Sequence, residues 1–254
     1  PALADRRHID LDARGLGVVA MGGVTNIARH VAEPGPRGRG LRLTGLYAKT
    51  EERFVRGGME SSGLEVGAQE LELVPGPPDA WPSSVDIDVG TAGSATLVIQ
   101  TILVPALASG RALRVVVMGG THNPLAPPFE FLDRVLAPHL RAMGADVTFT
   151  LEKTGVLPRG GGLIAVEVRP SKLAPIEILE AGPVVERRAT AIVAGLPRHI
   201  AEREIACAQE RMRDPIAEFR ELDRMGPHNL SIAEVSLASG PRELATAHGR
   251  KGYP

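Results

Sequence analysis

Apolar and polar residues alternate with a regular period between residues 85 and 168, and the pattern predicts six successive elements. Short runs with a period of two indicate strands, whereas apolar residues three and four positions apart indicate helices. The predicted elements are strand 85–89, helix 94–109, strand 111–118, a second helix whose apolar positions run from 132 to 143, strand 147–151 and strand 163–168. The first strand, helix and strand should form a right-handed crossover that makes the two strands parallel. The stretch therefore predicts an α/β layer, a βαβαββ unit whose helices cover one face of a sheet.

Individual residues mark the ends of the two helices in this unit. Thr91 is a candidate N-cap for the first helix, and Pro105 is expected to kink that helix or end it early. Pro127 and Pro128 are expected in the first turn of the second helix, where proline is tolerated. Gly144 is a typical C-terminal stop for that helix.

The pattern changes after Arg169 and predicts a second, smaller α/β unit. A strand-like run at 184–193 precedes a helix at 197–212, and further elements are expected at 216–222, 229–237 and 243–248. Before residue 61 the chain predicts a small α/β segment, with a strand at 17–21, a helix at 26–32 and a strand at 41–47. The predicted domains are therefore residues 1–60, 61–170 and 171–254.

Composition restricts the class of protein further. Hydrophobic residues make up 43% of the 254 positions, which is enough for a sizeable core. Aromatic residues make up only 3%, so stacking platforms for single-stranded nucleic acid are scarce. The net charge of −1 argues against a broadly basic surface, and no DNA partner is expected, but a local phosphate site is still compatible with it.

The single cysteine and the lack of a long apolar run bear on location. Cys207 alone excludes an internal disulfide and a cysteine-rich zinc site, and it favours a reducing, cytoplasmic setting. No apolar run reaches the ~18–20 residues that span a bilayer, so no membrane partner is expected. The chain begins at Pro1 without a signal-peptide pattern, as a fragment or a processed product would.

Polar residues inside apolar runs are the candidates for chemistry. Gln100 is the one amide in LVIQTIL, and a buried amide left unpaired costs ~1–3 kcal/mol. It is either a structural amide bonded to nearby backbone or a ligand-facing amide. Thr121, His122 and Asn123 follow the end of a predicted strand, where α/β proteins often bind ligands. The alternative is a turn in which Asn123 acts as a cap or adopts unusual dihedral angles.

Arg159 stands beside three glycines, residues 160–162, near the end of the first unit. Backbone amides and a guanidinium at such a position can approach a phosphate, although a hairpin-like connection explains the glycines equally well. Neither glycine stretch matches the P-loop or the dinucleotide fingerprint, and the chain has no HExxH or GxSxG motif. The residues alone therefore indicate an α/β protein with a candidate phosphate-binding mouth.

Several longer segments carry a family resemblance: GTAGSATLVIQTILVPAL (90–107), GGTHNPLAPPFEFLDRVLAPHL (119–140), PRGGGLIAVEV (158–168), VAGLPRHIAEREI (193–205), MGPHNLSIAEV (225–235) and HGRKGYP (248–254). With these segments, residues 64–254 resemble the RNA 3′-terminal phosphate cyclase family. The resemblance implies ATP-dependent conversion of an RNA 3′-phosphate to a 2′,3′-cyclic phosphate through adenylated intermediates. It also implies repeated βαβαββ units and an inserted smaller α/β domain, to which residues 85–168 and 171–254 correspond.

The resemblance also implies roles for particular residues. Gln100 matches an ATP-contacting glutamine, and Pro128 or its neighbour matches a proline that lines the adenine pocket. Thr121, His122 and Asn123 fall in the turn of the GGT motif, where a substrate contact is implied by the resemblance only. ATP, with a divalent cation such as Mg²⁺, is the implied cofactor, and an RNA 3′ end is the implied partner.

Two features of the family are absent from this sequence. A glycine-rich segment of the GEGGGQ type is missing from residues 1–60, and none of the seven histidines lies in a PSxHxxTN context, which carries the nucleophile. A phosphoramidate intermediate requires that nucleophile, so the 254-residue chain by itself is expected to be inactive or nearly so.

Two other hypotheses remain open at this point. The first is a non-catalytic relative that acts as an RNA-processing or ribosome-assembly scaffold. The second is a nuclease remnant, because residues 18–47 resemble the TOPRIM segment of the overcoming-lysogenization-defect nucleases. That family holds magnesium with an acidic pair after the last strand, and here residues 48–50 are Ala, Lys and Thr.

Overall fold

The computed structural model describes residues 82–90, 92–124, 126–222 and 226–249 of the chain. Nearer the N-terminus it describes five short strands: β1 (Arg7–Asp10), β2 (Glu33–Pro34), β3 (Leu41–Arg42), β4 (Glu60–Ser62) and β5 (Glu70–Val74). Strand β5 pairs with β1 and β4, and β2 pairs with β3, all antiparallel. The strand predicted at 17–21, the helix predicted at 26–32 and most of the strand predicted at 41–47 lie outside the described residues.

The first four-stranded sheet confirms the predicted element order. Its strands are β6 (Ser84–Asp88), β7 (Leu113–Gly119), β8 (Asp146–Lys153) and β9 (Gly162–Arg169). In space they follow the order β6-β7-β9-β8, with β6 and β7 parallel and the other pairs antiparallel. Helix α1 (Ala95–Ala108) forms the crossover between the two parallel strands.

One apolar core joins this sheet to its helices. Every second residue of the strands points to the same face, as Leu113, Val115 and Val117 do on β7. These side chains form a single cluster with Ile99 of α1 and with residues of the second helix. Both helices therefore cover one face of the sheet, as predicted, and burying each large aliphatic side chain stabilises the fold by about 1.5–3 kcal/mol.

The start and the course of α1 correct two predictions. Ser94, and not Thr91, caps the helix, because the Leu97 N–H donates to the Ser94 hydroxyl at 3.2 Å. Thr91 itself lies outside the described residues, three positions before the cap. The helix also continues through Pro105 to Ala108 instead of ending early. Proline removes only one backbone donor, and the burial of α1 against the sheet holds the helix together there.

The second helix begins as a wide turn that the sequence pattern did not predict. A π-helical segment, Phe131–Leu136, runs into α2 (Ala137–Ala142), and the Ala137 N–H donates to the Leu132 carbonyl. The wide turn lies directly before Pro138, whose ring would clash with the preceding turn of a regular α-helix. Residues 127 and 128 precede the helix rather than forming its first turn.

The second four-stranded sheet contains the elements expected after Arg169. Its strands are β10 (Val184–Ala194), β11 (Ile216–Leu222), β12 (His228–Leu237) and β13 (Arg242–His248), in the spatial order β11-β10-β12-β13. Strands β10 and β11 are parallel and are joined through helix α3 (His199–Arg211). Within the described ranges, no helix is both long enough and apolar enough to span a bilayer.

Candidate functional site

Gln100 and the proline segment before the second helix are brought together by Thr96. The Gln100 Nε2 donates to the Thr96 carbonyl at 3.2 Å, one turn earlier in α1. The Thr96 hydroxyl donates to the Pro127 carbonyl at 2.7 Å, and Pro128 beside it is buried. Gln100 is half-buried, and its Oε1 has no hydrogen-bond partner among the described residues. The contact of Gln100 and Pro128 with a nucleotide stays a prediction.

The turn after β7 buries all three of its candidate side chains. Thr121 and His122 are each 1% exposed, and Asn123 is 7% exposed. The Asn123 Nδ2 donates to the Ala92 carbonyl, which fastens the turn to the segment before α1. Direct contact of these three residues with RNA stays a prediction, and the structure gives them hydrogen bonds inside the protein.

Those hydrogen bonds continue in both directions from His122. Its Nδ1 lies 2.7 Å from the Thr121 hydroxyl, and its Nε2 lies 2.9 Å from the Glu130 Oε2. The Thr121 oxygen also accepts from the Gly155 N–H at 3.0 Å and lies 3.1 Å from the Gly155 carbonyl. On the other side, Arg220 of β11 donates to the Glu130 Oε1 at 2.6 Å. The result is one hydrogen-bond chain from Arg220 through Glu130, His122 and Thr121 to Gly155.

Glu130 is a buried carboxylate that stays ionised in this chain. Burial alone would raise its pKa, but the hydrogen bond from His122, together with the charge of Arg220, lowers the pKa of Glu130 to about 2. Its side chain is 2% exposed, and both of its oxygens are paired. An ionised carboxylate only accepts hydrogen bonds, so the Nε2 of His122 carries a proton.

A second set of ion pairs joins the two sheets beside this hydrogen-bond chain. Arg134 of the π-helical segment donates to Glu234 of β12 at 2.7 Å, and Glu234 is 3% exposed. Arg134 also lies 3.9 Å from Glu218, which Arg188 and Arg220 approach from within the second sheet. Two charged residues of one helical segment, Glu130 and Arg134, are thus paired with opposite charges on the second sheet.

The glycine-rich loop forms a tight connection between β8 and β9. The Gly160 N–H donates to the Val156 carbonyl at 2.8 Å, and Gly160 and Gly161 have φ values of 65° and 69°. Arg159 at the tip of this loop is exposed. The glycines thus serve the hairpin-like connection that the sequence allowed, and a phosphate contact of Arg159 stays a prediction.

Two further histidines meet near the buried turn. The rings of His228 and His248 are 5.4 Å apart and edge-on, and His248 lies close to the backbone of Asn123. Burial, followed by the charge of His248, lowers the pKa of His228 to about 4, and burial also lowers the pKa of His248. Both rings are therefore neutral at pH 7.

The sequence did not single out Glu130, Arg220, His228 or His248 as functional residues. The one usable signal was Glu130, an acidic residue between Phe129 and Phe131 at the start of an apolar helix. A charge in that position needs a partner, but the partner lies 90 residues away and spacing alone does not reveal it. No group of three or more potential metal ligands occurs within the described ranges.

Comparison with known proteins assigns the chain to a family. The family model for RNA 3′-terminal phosphate cyclase matches residues 49–239. The chain therefore belongs to the RNA 3′-terminal phosphate cyclase family, and the α/β fold predicted from the resemblance is confirmed. The TOPRIM-like stretch at 18–47 lies outside the matched residues.

Individual relatives agree with this assignment. The chain is 38% identical over 196 residues to the RNA 3′-terminal phosphate cyclase of Ectopseudomonas mendocina (strain ymp), covering 76% of this chain and 57% of that protein. It is 40% identical over 183 residues to the Pseudomonas fluorescens cyclase, covering 71% and 53%. It is 39% identical over 199 residues to the Koribacter versatilis cyclase, covering 77% and 55%. The chain thus spans a little over half the length of these relatives.

Proposed function

We propose that this chain supplies part of an RNA 3′-terminal phosphate cyclase, namely one wall of its ATP site and part of its RNA-end site. The observation that carries the proposal is the family match over residues 49–239, with relatives near 40% identity that bear this name. In this proposal residues 61–170 are a cyclase-like βαβαββ domain and residues 171–254 are the smaller inserted domain. The protein acts in the cytoplasm.

The proposed reaction proceeds in three steps. A histidine nitrogen attacks the α-phosphorus of ATP and releases pyrophosphate, which leaves AMP on the histidine. An oxygen of the RNA 3′-phosphate then attacks the phosphorus of the histidine-bound AMP, which breaks the N–P bond and releases the histidine. Finally the neighbouring 2′-hydroxyl attacks the terminal phosphorus, AMP leaves, and the 2′,3′-cyclic phosphate remains. None of the seven histidines lies in the family's nucleophile motif, so the 254 residues alone are expected to bind nucleotide without forming the adduct.

The residues present fit an adenine at the proposed wall. Gln100 has an amide oxygen with no protein partner among the described residues, and such an oxygen can accept from the exocyclic amine of adenine. Thr96 fixes both the helix turn that carries Gln100 and the 127–128 segment, so an apolar proline surface lies beside the amide. A polar group set against an apolar wall is the usual composition of a small-molecule site.

A divalent cation is expected to accompany the ATP phosphates. Magnesium usually binds through one or two carboxylates together with substrate phosphates. The described residues provide no group of three or more metal ligands, so in this proposal the cation is held mainly by the nucleotide.

The RNA end is proposed to approach the turn at 121–123 and the exposed Arg159. The two segments are linked through Gly155, which bonds to Thr121 and lies shortly before the Arg159 loop. The guanidinium of Arg159 offers paired N–H donors to a terminal phosphate.

Gln100→Ala tests the nucleotide wall. We expect Gln100→Ala to weaken ATP binding to the purified chain by about two- to tenfold, since one charge-neutral hydrogen bond contributes roughly 0.5–1.5 kcal/mol. Isothermal titration with ATP measures this. Gln209→Ala is the matched control, because it removes an amide from an exposed position on α3. Equal ATP affinity for the wild type and Gln100→Ala would contradict the proposed wall.

Two further measurements separate the proposal from its rivals. Incubation with ATP labelled at the α-phosphate is expected to leave no covalent AMP on the 254-residue chain. A labelled adduct would show that one of its seven histidines is the nucleophile after all. Binding of RNA that does not depend on the terminal 3′-phosphate would instead support a scaffold.

A further inference from the structure

We propose that Arg220 and Glu130 are positioning residues through which the second sheet sets the tautomer of His122 and the shape of the turn at 119–123. The proposal concerns the hydrogen-bond chain Arg220–Glu130–His122–Thr121–Gly155, in which each member touches the next. Its consequence for RNA binding rests on the proposed function of that turn.

The hydrogen-bond chain begins at the partly exposed Arg220 on an edge strand and ends at buried backbone. Arg220 is 34% exposed on β11, whereas Glu130, His122 and Thr121 are 1–2% exposed. A change in the Arg220–Glu130 bond, where the two sheets meet, is therefore passed to the first sheet through direct hydrogen bonds between side chains. Glu130 accepts from His122 through one carboxylate oxygen and from Arg220 through the other, so both of its oxygens are paired within the hydrogen-bond chain.

The two ends of His122 are fixed by different partners. The ionised Glu130 carboxylate accepts a hydrogen bond from Nε2, so this nitrogen carries a proton. The other nitrogen, Nδ1, faces the Thr121 hydroxyl, which has one proton to share between Nδ1 and the Gly155 carbonyl. The state of the imidazole thus decides which way the Thr121 proton points. A carboxylate behind a histidine commonly fixes its tautomer and orientation in this manner.

At Gly155, the other end of the hydrogen-bond chain, the backbone is tightly packed. A Cβ added at Gly155 would overlap the backbone of Gly162 and lie 2.5 Å from the Gly119 carbonyl. The Gly155 N–H donates to Thr121, and the Gly155 carbonyl accepts from the Thr121 N–H at 2.8 Å. The strand ends of β7 and β9 therefore meet the Thr121 turn at Gly155, so a shift of Thr121 changes the entry to the Arg159 loop.

One neighbouring ion pair touches the hydrogen-bond chain, because Glu218 pairs with Arg188 and also lies 3.4 Å from Arg220. A change at Arg188 would therefore also change the surroundings of Arg220. Arg187 is half-buried on β10 of the same sheet, and among the described residues no hydrogen bond or ion pair links it to Arg220, Glu130 or His122. Arg187→Gln is consequently a matched control for a change at Arg220.

The first test reads the His122 ring by nitrogen-15 NMR. In the wild-type chain the Nε2 resonance should have the shift of a protonated nitrogen. In Glu130→Leu that nitrogen loses its acceptor, so the proton should move to Nδ1 and bond to Thr121. The double variant Glu130→Leu/Arg220→Leu should show the same move of the proton to Nδ1. Because this variant leaves no unpaired charge, it is expected to keep the fold. A protonated Nε2 in both variants would overturn the proposal.

The second test follows hydrogen exchange at the Gly155 amide. Arg220→Gln should speed this exchange by about tenfold, which corresponds to loss of one charge-assisted hydrogen bond in the chain. Arg187→Gln should change it less than about twofold. Equal acceleration in both variants would mean that the sheets loosen as a whole, and it would overturn the positioning role.

The third measurement separates this proposal from the proposed function. Glu130→Leu should weaken binding of an RNA oligonucleotide with a 3′-phosphate by about tenfold, as supporting residues behind a binding group commonly do. If the NMR and exchange signals change but RNA affinity does not, the positioning role stands and the RNA role of the turn is wrong.

Discussion

Both four-stranded sheets contain a parallel strand pair joined by a helix, yet the two helices differ in how much apolar surface they bury. Helix α1 of the first sheet has buried residues on most of its faces, including Val98, Ile99 and Ile102. Helix α3 of the second sheet has a single buried residue, Ala201, and is otherwise exposed or half-buried and rich in charge. The same topology is thus stabilised by an apolar core in one case and by a thin contact in the other.

The difference extends to how the sheets meet. Among the described residues, the first sheet has one continuous cluster of apolar side chains, whereas the second has two small clusters on opposite faces. At the junction the contacts that stand out are charged, such as Arg134 with Glu234 and Arg220 with Glu130. We infer that apolar burial sets the fold of the first sheet, and that paired charges set the orientation of the second against it.

The largest expected effect comes from the apolar core. Ile164 on β9 is fully buried, so Ile164→Ala should lower the free energy of unfolding by about 2–5 kcal/mol through lost burial and a cavity. Ile205→Ala removes the same atoms from the half-buried face of α3 and should cost clearly less. Urea denaturation of the two variants measures the difference. Equal costs would remove the contrast between the sheets.

The contrast also explains which parts of the fold could be predicted from sequence. Regular alternation over 85–168 was enough to predict every strand and helix of the first sheet, because each buried face repeats with the period of its element. The π-helical turn before Pro138 escaped prediction, since periodicity does not report how a proline is accommodated. Ser94 was missed as the cap because Thr91 offers the same kind of side chain three residues earlier.

The candidate site was less predictable than the fold. Gln100 and His122 stood out because each is polar within an apolar setting. Their chemistry, however, depends on partners that only the tertiary fold supplies, such as Glu130 and Arg220 for His122. Long-range charge pairs leave no periodic trace in a sequence, so the hydrogen-bond chain was not predicted.

The pH dependence of stability should distinguish the two sheets, with an effect somewhat smaller than that of Ile164→Ala. Burial would raise the pKa of Glu130, but His122 and Arg220 lower it from 4.5 to about 2. A depressed carboxylate pKa stabilises the folded state above the unfolded value and loses that contribution as pH falls through the folded value. Glu130 should therefore contribute about 3 kcal/mol at neutral pH, all of it lost between pH ~4.5 and ~2.

His228 on the second sheet should respond in a higher range. Burial, and then the charge of His248, lowers its pKa from 6.5 to about 4. A histidine with a lowered folded pKa binds protons more tightly when unfolded, so stability should fall as pH drops from ~6.5 to ~4. Denaturant titrations across pH check both windows. Glu130→Gln should flatten the lower window and His228→Asn the upper one, and a single transition unaffected by either variant would contradict this assignment.

The smallest expected effect lies on the exposed face of α3. Arg198 pairs with Glu202 at 2.9 Å, with side-chain exposures of 66% and 61%, and its guanidinium lies 4.9 Å from the centre of the Phe219 ring. Exposed ion pairs of this spacing contribute about 0.3–0.5 kcal/mol, and an exposed cation–π contact contributes about 0.5–1 kcal/mol. Arg198→Gln should therefore lower the free energy of unfolding by about 1 kcal/mol, and most of the ion-pair share should vanish in 1 M salt. A loss as large as that of Ile164→Ala would mean that surface charges stabilise the second sheet as strongly as apolar burial stabilises the first.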